Sequence, residues 1–295
     1  MKAEVTKQNK KTMKHEGQFA QIWRRFSKRG SAMFGLCLLI LLILTALFAD
    51  LLYDYDDAAI KQNIPERLQA PSWKHPFGTD DYGRDILARV VHGSRYSLGI
   101  GFAAVAIGLI VGTAIGSIVG YYGGVMDMIV MRIIEVFQAI PCMLMAMIVV
   151  AVAGASAVSL AIALGLAIIP TFTRVARSAV ITVREMDYVE ACRAIGACNI
   201  NIILFHILPN CIAPLLVQST LSLAVSILSV SGLSYLGMGI SPPTPEWGSM
   251  LSASRIYLQD YSYMAIFPGV AIMLVILALN LLGDGIRDAT DPKLK

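Results

Sequence analysis

The side chains that carry covalent or metal chemistry are placed here in ways that exclude it. Cys37, Cys142, Cys192, Cys198 and Cys211 form no CxxC pair and no Cys/His cluster at metal spacing, so neither a metal site nor a disulfide framework is expected. No GxxxxGK[ST] stretch occurs, so a phosphate cradle of that type is absent from the sequence. What recurs at regular spacing is neutral. Ser219, Ser222, Ser226 and Ser229 follow at intervals of three and four, which puts their hydroxyls on one helical face with Gln218 beside them. In an apolar helix such a face either bonds to carbonyls one turn back and packs closely, or lines a wetted path for polar cargo. Gln138 and Pro141 mark a second polar place, where proline frees the carbonyl four residues earlier and kinks the chain.

The elements that must hold these residues follow from composition. The chain has 295 residues, of which 56% are hydrophobic and 15% charged, against roughly 45–50% and 25% in soluble domains. The polar residues are too few to cover a globule of this size, which excludes a water-soluble enzyme. Uncharged runs long enough to cross a bilayer of ~30 Å occur at 31–49, 96–122, 136–153, 156–173, 211–240 and 261–282. Lipid offers no hydrogen-bond partners, so these runs must be helical or line an enclosed cavity. An all-α integral membrane protein with six transmembrane helices is expected.

Lys2, Lys7, Lys10, Lys11, Lys14, Arg24, Arg25, Lys28 and Arg29 precede the first run, opposed only by Glu4 and Glu16, so the positive-inside rule holds this tail in the cytosol. The basic region is too long for a signal peptide and no A-x-A site follows Leu44, so the first span is expected to be uncleaved. The chain then divides into a cytosolic basic tail (1–30), a first transmembrane helix (31–52) and an extracytoplasmic loop with an amphipathic helix (53–95). A five-span core (96–283) contains a cytosolic loop at 174–210, and a cytosolic tail (284–295) follows. Lys61, Arg67, Lys74, Arg84, Arg89, Arg95 and Arg255 fall outside and the other basic residues inside or at the inner boundary, as the rule requires. The net charge of +4 comes from this asymmetry and lends no support to nucleic-acid binding.

Gly108, Gly112, Gly116 and Gly120, preceded by Ala104, form a small-xxx-small stripe along the second span. Such a stripe admits another helix backbone to backbone, as a buried packing face or as a face beside a moving gate. In the outer loop, Thr79 is a suitable N-cap, and Asp80 to Arg84 and Asp85 to Arg89 are acid-then-base i, i+4 pairs. They predict a surface helix that serves as a scaffold or as a docking platform. The stretch 241–245, Ser-Pro-Pro-Thr-Pro, predicts a stiff outer loop. The span cores hold no Asp, Glu, Lys or Arg; Asp127, Arg132 and Glu135 stand at the inner end of the third span. Ion-coupled carriers need buried ionisable groups, so transport by this chain would draw its energy from a partner.

The 174–210 segment is too long for a simple connection and too polar to be a span. Asp187 is an expected N-cap, Tyr188 to Ile195 a helix, Gly196 its left-handed terminator, and Asn199 the start of a second helix closed by Pro209. Val189, Ala191 and Ile195 would fill a partner's groove, with Glu190 and Arg193 on its rim; an amphipathic pair lying on the membrane is the equal alternative.

Glu190-Ala191-Cys192, then Gly196, then Leu208-Pro209 resembles the EAA loop of binding-protein-dependent ABC importer permeases. Its pattern is Glu-Ala-Ala, three residues, Gly, nine residues, Ile-x-Leu-Pro. Cys192 replaces the second alanine and His206 takes the isoleucine position, a form similar to that of the peptide and nickel subfamily. The second, C-type, permease subunit of dipeptide, oligopeptide or nickel importers is also resembled elsewhere. The resembling segments are Trp23-Arg24-Arg25-Phe26, 75–80 with Gly83-Arg84-Asp85, 232–239, Pro242-Pro243 with Trp247-Gly248, and 280–284 with Arg287-Asp288. The resemblance implies an ABC type I importer permease fold in a bacterial or archaeal cytoplasmic membrane, with both termini cytosolic. It implies as partners a homologous B-type permease subunit, two ABC ATPase subunits gripped through the EAA loops, and an extracytoplasmic solute-binding protein. ATP and Mg would be bound by the ATPases, and this chain would bind no cofactor and be no enzyme. Asp187, Tyr188, Glu190, Ala191, Arg193, Gly196, His206 and Pro209 would then couple it to the ATPases. The expected cargo is small peptides; a nickel chelate or a glutathione-like solute keeps the class, while a stand-alone carrier, a channel or a membrane scaffold is the different-class reading.

Overall fold

The computed structural model describes residues 18–290, and Lys2, Lys7, Lys10, Lys11 and Lys14 lie outside the described residues. A short amphipathic helix, α1 (Gln18–Phe26), leads into α2 (Gly30–Leu47), and one turn, α3 (Ala49–Leu52), follows. The helix α4 (Ile86–Tyr122) is 37 residues long, about 55 Å at 1.5 Å per residue, so it exceeds the ~30 Å apolar layer. Then come α5 (Gly124–Ala139), α6 (Cys142–Ala153), α7 (Ala157–Arg184), α8 (Asp187–Ala194) and α9 (Asn199–Asn201). A π turn (Ile202–Ile207) and a 3-10 turn (Leu208–Cys211) carry the chain from α9 into α10 (Ile212–Tyr235), and α11 (Trp247–Ser254) and α12 (Tyr263–Thr290) complete it.

Among the described residues, α2, α4, α7, the run Asn199–Tyr235 and α12 are long and apolar enough to span, with a sixth if α5 and α6 count as one. The third run is therefore not a straight helix. Its axis turns by 83° at Ile140-Pro141, because the residue before proline is forced into extended conformation, as Ile140 is (φ −83, ψ 123). At 12 residues, α6 is about 18 Å long and too short to cross alone.

The glycine stripe of α4 meets α7 along its length. A Cβ added to Gly108 would lie 2.5 Å from Ile168 Cγ1, to Gly112 2.6 Å from Phe172 Cβ, to Gly116 2.4 Å from the Thr173 carbonyl, and to Gly120 3.0 Å from that of Arg177. Both partner numbers rise together, so the two helices run parallel in near backbone contact. The capping box of Ser156 and Ser159 starts α7. Gly35 of α2 sits against Leu281 and the Ala278 carbonyl of α12, and Gly285 against Ala32 and Phe26. The amino end of α1–α2 and the carboxyl end of α12 thus share one end of the bundle, joined by an Arg29–Asp288 ion pair. The carboxyl ends of α4 and α7, together with α8, belong to that same end, since Gly283 of α12 meets Thr220, two turns into α10. The residues between α2 and α4, and between α10 and α12, form the opposite end.

Only Ala32, Gly35, Leu39 and Ala46 of α2 are buried. Phe34, Leu41, Leu44 and Leu47 are exposed, the outward apolar surface expected of a peripheral helix in lipid.

Candidate functional site

The helix α8 is held on one side and open on the other. Met186 is extended and precedes it without a side-chain cap, so Asp187 is the first helical residue rather than the N-cap expected from sequence. Asp187 and Glu190 still stand in the first turn and Arg193 in the last, each sign matched to the helix dipole. Gly196 then takes φ +78, a left-handed conformation that glycine adopts without a Cβ penalty. Val189 is fully buried in the cluster that includes Val183, Ile202, Ile203 and Ile207. Asp187, Tyr188, Glu190, Ala191, Arg193 and Gly196 are exposed, and Ile195 is 83% exposed.

The Tyr188 hydroxyl donates to the His206 carbonyl (3.2 Å) and accepts from Asn210 Nδ2 (3.0 Å), which also donates to that carbonyl (2.7 Å). Burial raises the Tyr188 phenol above its ordinary pKa, so it remains a neutral donor. His206 thus contributes its main chain. Pro209 does not close a second helix as expected. It lies in the first turn of the 3-10 segment that leads into α10, a position where its missing N–H is not needed.

From α8 the contacts reach the end of α4. Arg193 Nε donates to Tyr121 Oη (3.3 Å), with the guanidinium 4.9 Å from the ring centroid, and Tyr121 Oη donates to Asn199 Oδ1 (2.8 Å). Arg184 Nη1 donates to the carbonyls of Gly120 (2.7 Å) and Tyr121 (3.3 Å), satisfying free carbonyls at the carboxyl end of α4. Asp127 of α5 and Arg177 of α7 form a two-bonded pair, at 2.5 Å and 2.6 Å. The exposed Arg132–Glu135 pair, at 2.9 Å, joins successive turns of α5.

The serine face of α10 points largely inward. Ser222 is buried and accepts from Gln218 Nε2 (3.0 Å), while Ser219 bonds back to the Leu215 carbonyl (2.8 Å). Ser226 is 1% exposed and its hydroxyl has no partner, a condition that costs ~1–3 kcal/mol for a buried polar group. Ser229 and Gln218 are half-buried, and Gln138 is exposed in the last turn of α5 beside the bend.

At the opposite end the expected helix from Thr79 is replaced by a tight turn. Asp80 Oδ1 accepts from the amides of Tyr82 and Arg84 (both 2.9 Å), and Asp80 Oδ2 from Arg84 Nε (2.7 Å). The helix starts only at Ile86, capped by Asp85, which accepts from Ala88 N (2.9 Å) and also bonds His75 Nδ1 (2.8 Å) rather than pairing with Arg89. Arg89 instead donates to the carbonyls of Ala59 (2.7 Å) and Pro243 (3.2 Å), tying the two outer loops together. Asp81 beside it has a buried, unpartnered Oδ1, and burial and then Asp80 raise its carboxyl pKa. The fully buried Glu246 caps α11 through the amides of Gly248 (2.9 Å) and Ser249 (2.8 Å), and accepts from Ser97 Oγ (3.1 Å) of α4. Among the described residues no group of His, Cys, Asp and Glu is placed to hold a metal ion.

The side-chain roles of Tyr121, Arg184, Asn199, Asn210 and Glu246 escaped sequence reasoning, which used Asn199 only as a helix start. An arginine near a helix end is a known carbonyl partner, which could have drawn attention to Arg184. Tyr121 and Asn199 are 78 residues apart and carry no joint signal, and Glu is not among the favoured capping residues.

The model of the "Binding-protein-dependent transport system inner membrane component" family matches residues 112–295. The model "N-terminal TM domain of oligopeptide transport permease C" matches residues 17–71. "Dipeptide transport system permease protein DppC" of Alkalihalophilus pseudofirmus is 45% identical over 93% of this chain and 90% of its own length. "Glutathione transport system permease protein GsiD" of Escherichia coli O6:K15:H31 is 42% identical, with the same shares covered. A methionine ABC transporter, MetNI, solved in inward-facing conformations, superposes with a TM-score of 0.56 at 18% identity, covering 70% of this chain and 98% of the other, a likeness of fold. With its helical order matched over these lengths, the chain belongs to the family of binding-protein-dependent transport system inner membrane components, the permeases of ABC importers.

Proposed function

We propose that this chain forms half of a translocation pathway that passes small peptides across the cytoplasmic membrane of a bacterium or archaeon. The observation that carries the cargo is the 45% identity, over 93% of the chain, to a permease named for dipeptide transport. The 42% identity to a glutathione permease favours a second reading, close in chemistry because glutathione is itself a short peptide. The other half of the pathway is a homologous B-type permease, and an extracytoplasmic solute-binding protein delivers the cargo. Two ABC ATPases bind ATP and Mg; this chain contributes no cofactor and no hydrolysis, consistent with its lack of a GxxxxGK[ST] stretch.

The exposed face of α8 is the coupling surface. Asp187, Glu190, Ala191, Arg193 and Ile195 dock on an ATPase, while buried Val189 and the Tyr188–His206–Asn210 bonds hold the helix to the bundle. Gly196 and Pro209 shape the chain on either side of the turn. A helix anchored at one buried residue and exposing both charges and Ile195 fits a groove with a charged rim. ATP-driven closure of the ATPases moves α8, and the helices rock so that the pathway opens outward. Gln138, Gln218 and Ser229 offer polar groups to that pathway, with Ser222 and the unpartnered Ser226 behind them. The Gly108, Gly112, Gly116 and Gly120 contact makes α4 and α7 move as one body. The amino end of α1–α2, the carboxyl end of α12 and α8 share one end of the bundle, a placement that supports cytosolic termini, and exposed α2 faces lipid.

The test is uptake of labelled dipeptide into proteoliposomes containing this chain, its partner permease, the ATPases and the binding protein, each omitted in turn. Uptake that needs every component and ATP supports the proposal. Glutathione uptake without dipeptide uptake replaces the cargo, and uptake by this chain alone refutes the mechanism.

A further inference from the structure

We infer that Tyr121 is a positioning residue for energy coupling: its hydroxyl joins the two sides of the α8 turn to the end of α4, so that movement of α8 is delivered to the α4–α7 body. The inference rests on the reading of α8 as the docking element and adds the route by which its displacement enters the membrane helices. Tyr121 is 7% exposed at the carboxyl end of α4. Its hydroxyl uses both of its roles, donating to Asn199 Oδ1 (2.8 Å) and accepting from Arg193 Nε (3.3 Å). Arg193 is in the last turn of α8 and Asn199 begins α9, so the two partners flank Gly196.

No Cβ-sized neighbour surrounds Gly196: an added Cβ there would meet nothing within 4 Å. The turn between α8 and α9 is therefore open on its exposed side, while Cys192 and Ala197 pack against the cluster beneath it, and its polar ties to α4 come from its two flanks. On the bundle side, the main chain that carries Tyr121 is itself fixed, because Arg184 of α7 donates to the Gly120 and Tyr121 carbonyls. Gly120 in turn lies against the Arg177 carbonyl and Val180. The hydroxyl is thus the joint between a turn free on its outer side and two helices in backbone contact. Buried Val189 fastens α8 to the cluster beneath it by apolar contact, which is non-directional, and the Tyr188 bonds run to His206 and Asn210 ahead of α10, not to α4. The Tyr121 bonds have direction, and the stacked Arg193 guanidinium adds a cation–π contact to the same ring.

The test compares Tyr121→Phe, Asn199→Ala and the double variant in the full transporter, reconstituted with its partner permease, ATPases and binding protein. Peptide uptake and ATP hydrolysis are both measured on equal amounts of assembled complex. Tyr121→Phe keeps the ring and its burial, so the fold has little reason to fail. Expected is a fall in peptide taken up per ATP hydrolysed of roughly 2- to 10-fold in Asn199→Ala, the range for one lost hydrogen bond, and at least that in Tyr121→Phe, which loses two, with the double variant no worse than Tyr121→Phe. Asn199→Asp, which retains the acceptor, restores most of the ratio. An unchanged ratio in Tyr121→Phe, a proportional loss of uptake and hydrolysis, or multiplying effects in the double variant would each overturn the inference. Gly196→Trp separates this from the reading beneath it: if that substitution leaves the ratio intact, α8 is not the coupling element. If it lowers the ratio while Tyr121→Phe does not, only the joint assigned to Tyr121 is wrong.

Discussion

Replacing Gly116 by alanine measures how close α4 and α7 are and what that closeness contributes. The new Cβ would lie 2.4 Å from the Thr173 carbonyl oxygen, 2.8 Å from Ala176 Cβ and 3.0 Å from the Arg177 amide nitrogen. Favourable carbon contacts need about 3.5 Å, so the helices must part by about 1 Å there. The obstacle is the α7 backbone and the Ala176 Cβ, neither of which can rotate away. Separation also loosens the contact at Gly112, where an added Cβ would lie 2.6 Å from Phe172 Cβ. Overpacking typically costs 1–3 kcal/mol, and backbone contact places this substitution near ~3 kcal/mol. Gly99 provides the control on the same helix: nothing lies within 4 Å of its added Cβ, so Gly99→Ala should gain up to about 1 kcal/mol of helix propensity. Gly116→Ala gains the same propensity, so the two single-methyl additions should differ by the overpacking cost alone, about 3 kcal/mol, or roughly a hundredfold in the unfolding equilibrium. Reversible unfolding in mixed micelles reads this difference. Stabilities of the two variants within about 0.5 kcal/mol, below the smallest overpacking cost, would refute the packing argument.

Three further outcomes follow from named contacts. Asp127→Asn removes the charge from the two-bonded, partly buried pair with Arg177, and should lower stability by ~1.5–3 kcal/mol, read by thermal unfolding in detergent; Arg132→Gln, in an exposed pair, should cost under ~0.5 kcal/mol. Glu246→Ala strands the amides of Gly248 and Ser249, and should cost about 1–3 kcal/mol with faster amide exchange in the first turn of α11. The Glu66 carboxyl is held below its ordinary pKa first by the hydrogen bond from Lys74 and further by His75. A lowered carboxylate pKa makes the tie complete above the ordinary value of about 4.3 and loses it as pH falls through the folded value. Amide protection across 63–75, taken relative to the intrinsic exchange rate, should therefore fall as pH drops below the ordinary carboxylate value, and Lys74→Gln should reduce that fall.

The spans were legible because lipid demands uninterrupted apolar helices, and the runs at 31–49, 96–122, 156–173 and 261–282 each fall within or overlap an observed helix. Their ends were less so. Charge at Arg174 ended the fourth run in sequence, yet α7 continues to Arg184 because its later arginines find Asp127 and the carboxyl end of α4. Thr79 and Asp80 have capping side chains, but Gly83, at φ +75, turns the chain so that Asp80 receives the turn's own amides. Pro141 signalled a kink but not its 83° size, which depends on where α6 finds its buried cluster with Leu160, Leu164 and Val230. The α8 region was readable as a helix–glycine–helix pattern. Its tether was not, since Tyr121, Arg193 and Asn199 meet only once α4 and α7 are packed.

Docking of the open face of α8 on an ATPase, on which the coupling mechanism depends, is tested most directly by a photo-crosslinking residue at position 195 in the assembled transporter. Ile195 is 83% exposed, so the probe can be carried without disturbing the bundle. Docking predicts an adduct between position 195 and the ATPase subunit. Adducts with lipid alone, unchanged by the presence of the ATPases, would contradict it and make α8 a helix lying on the membrane.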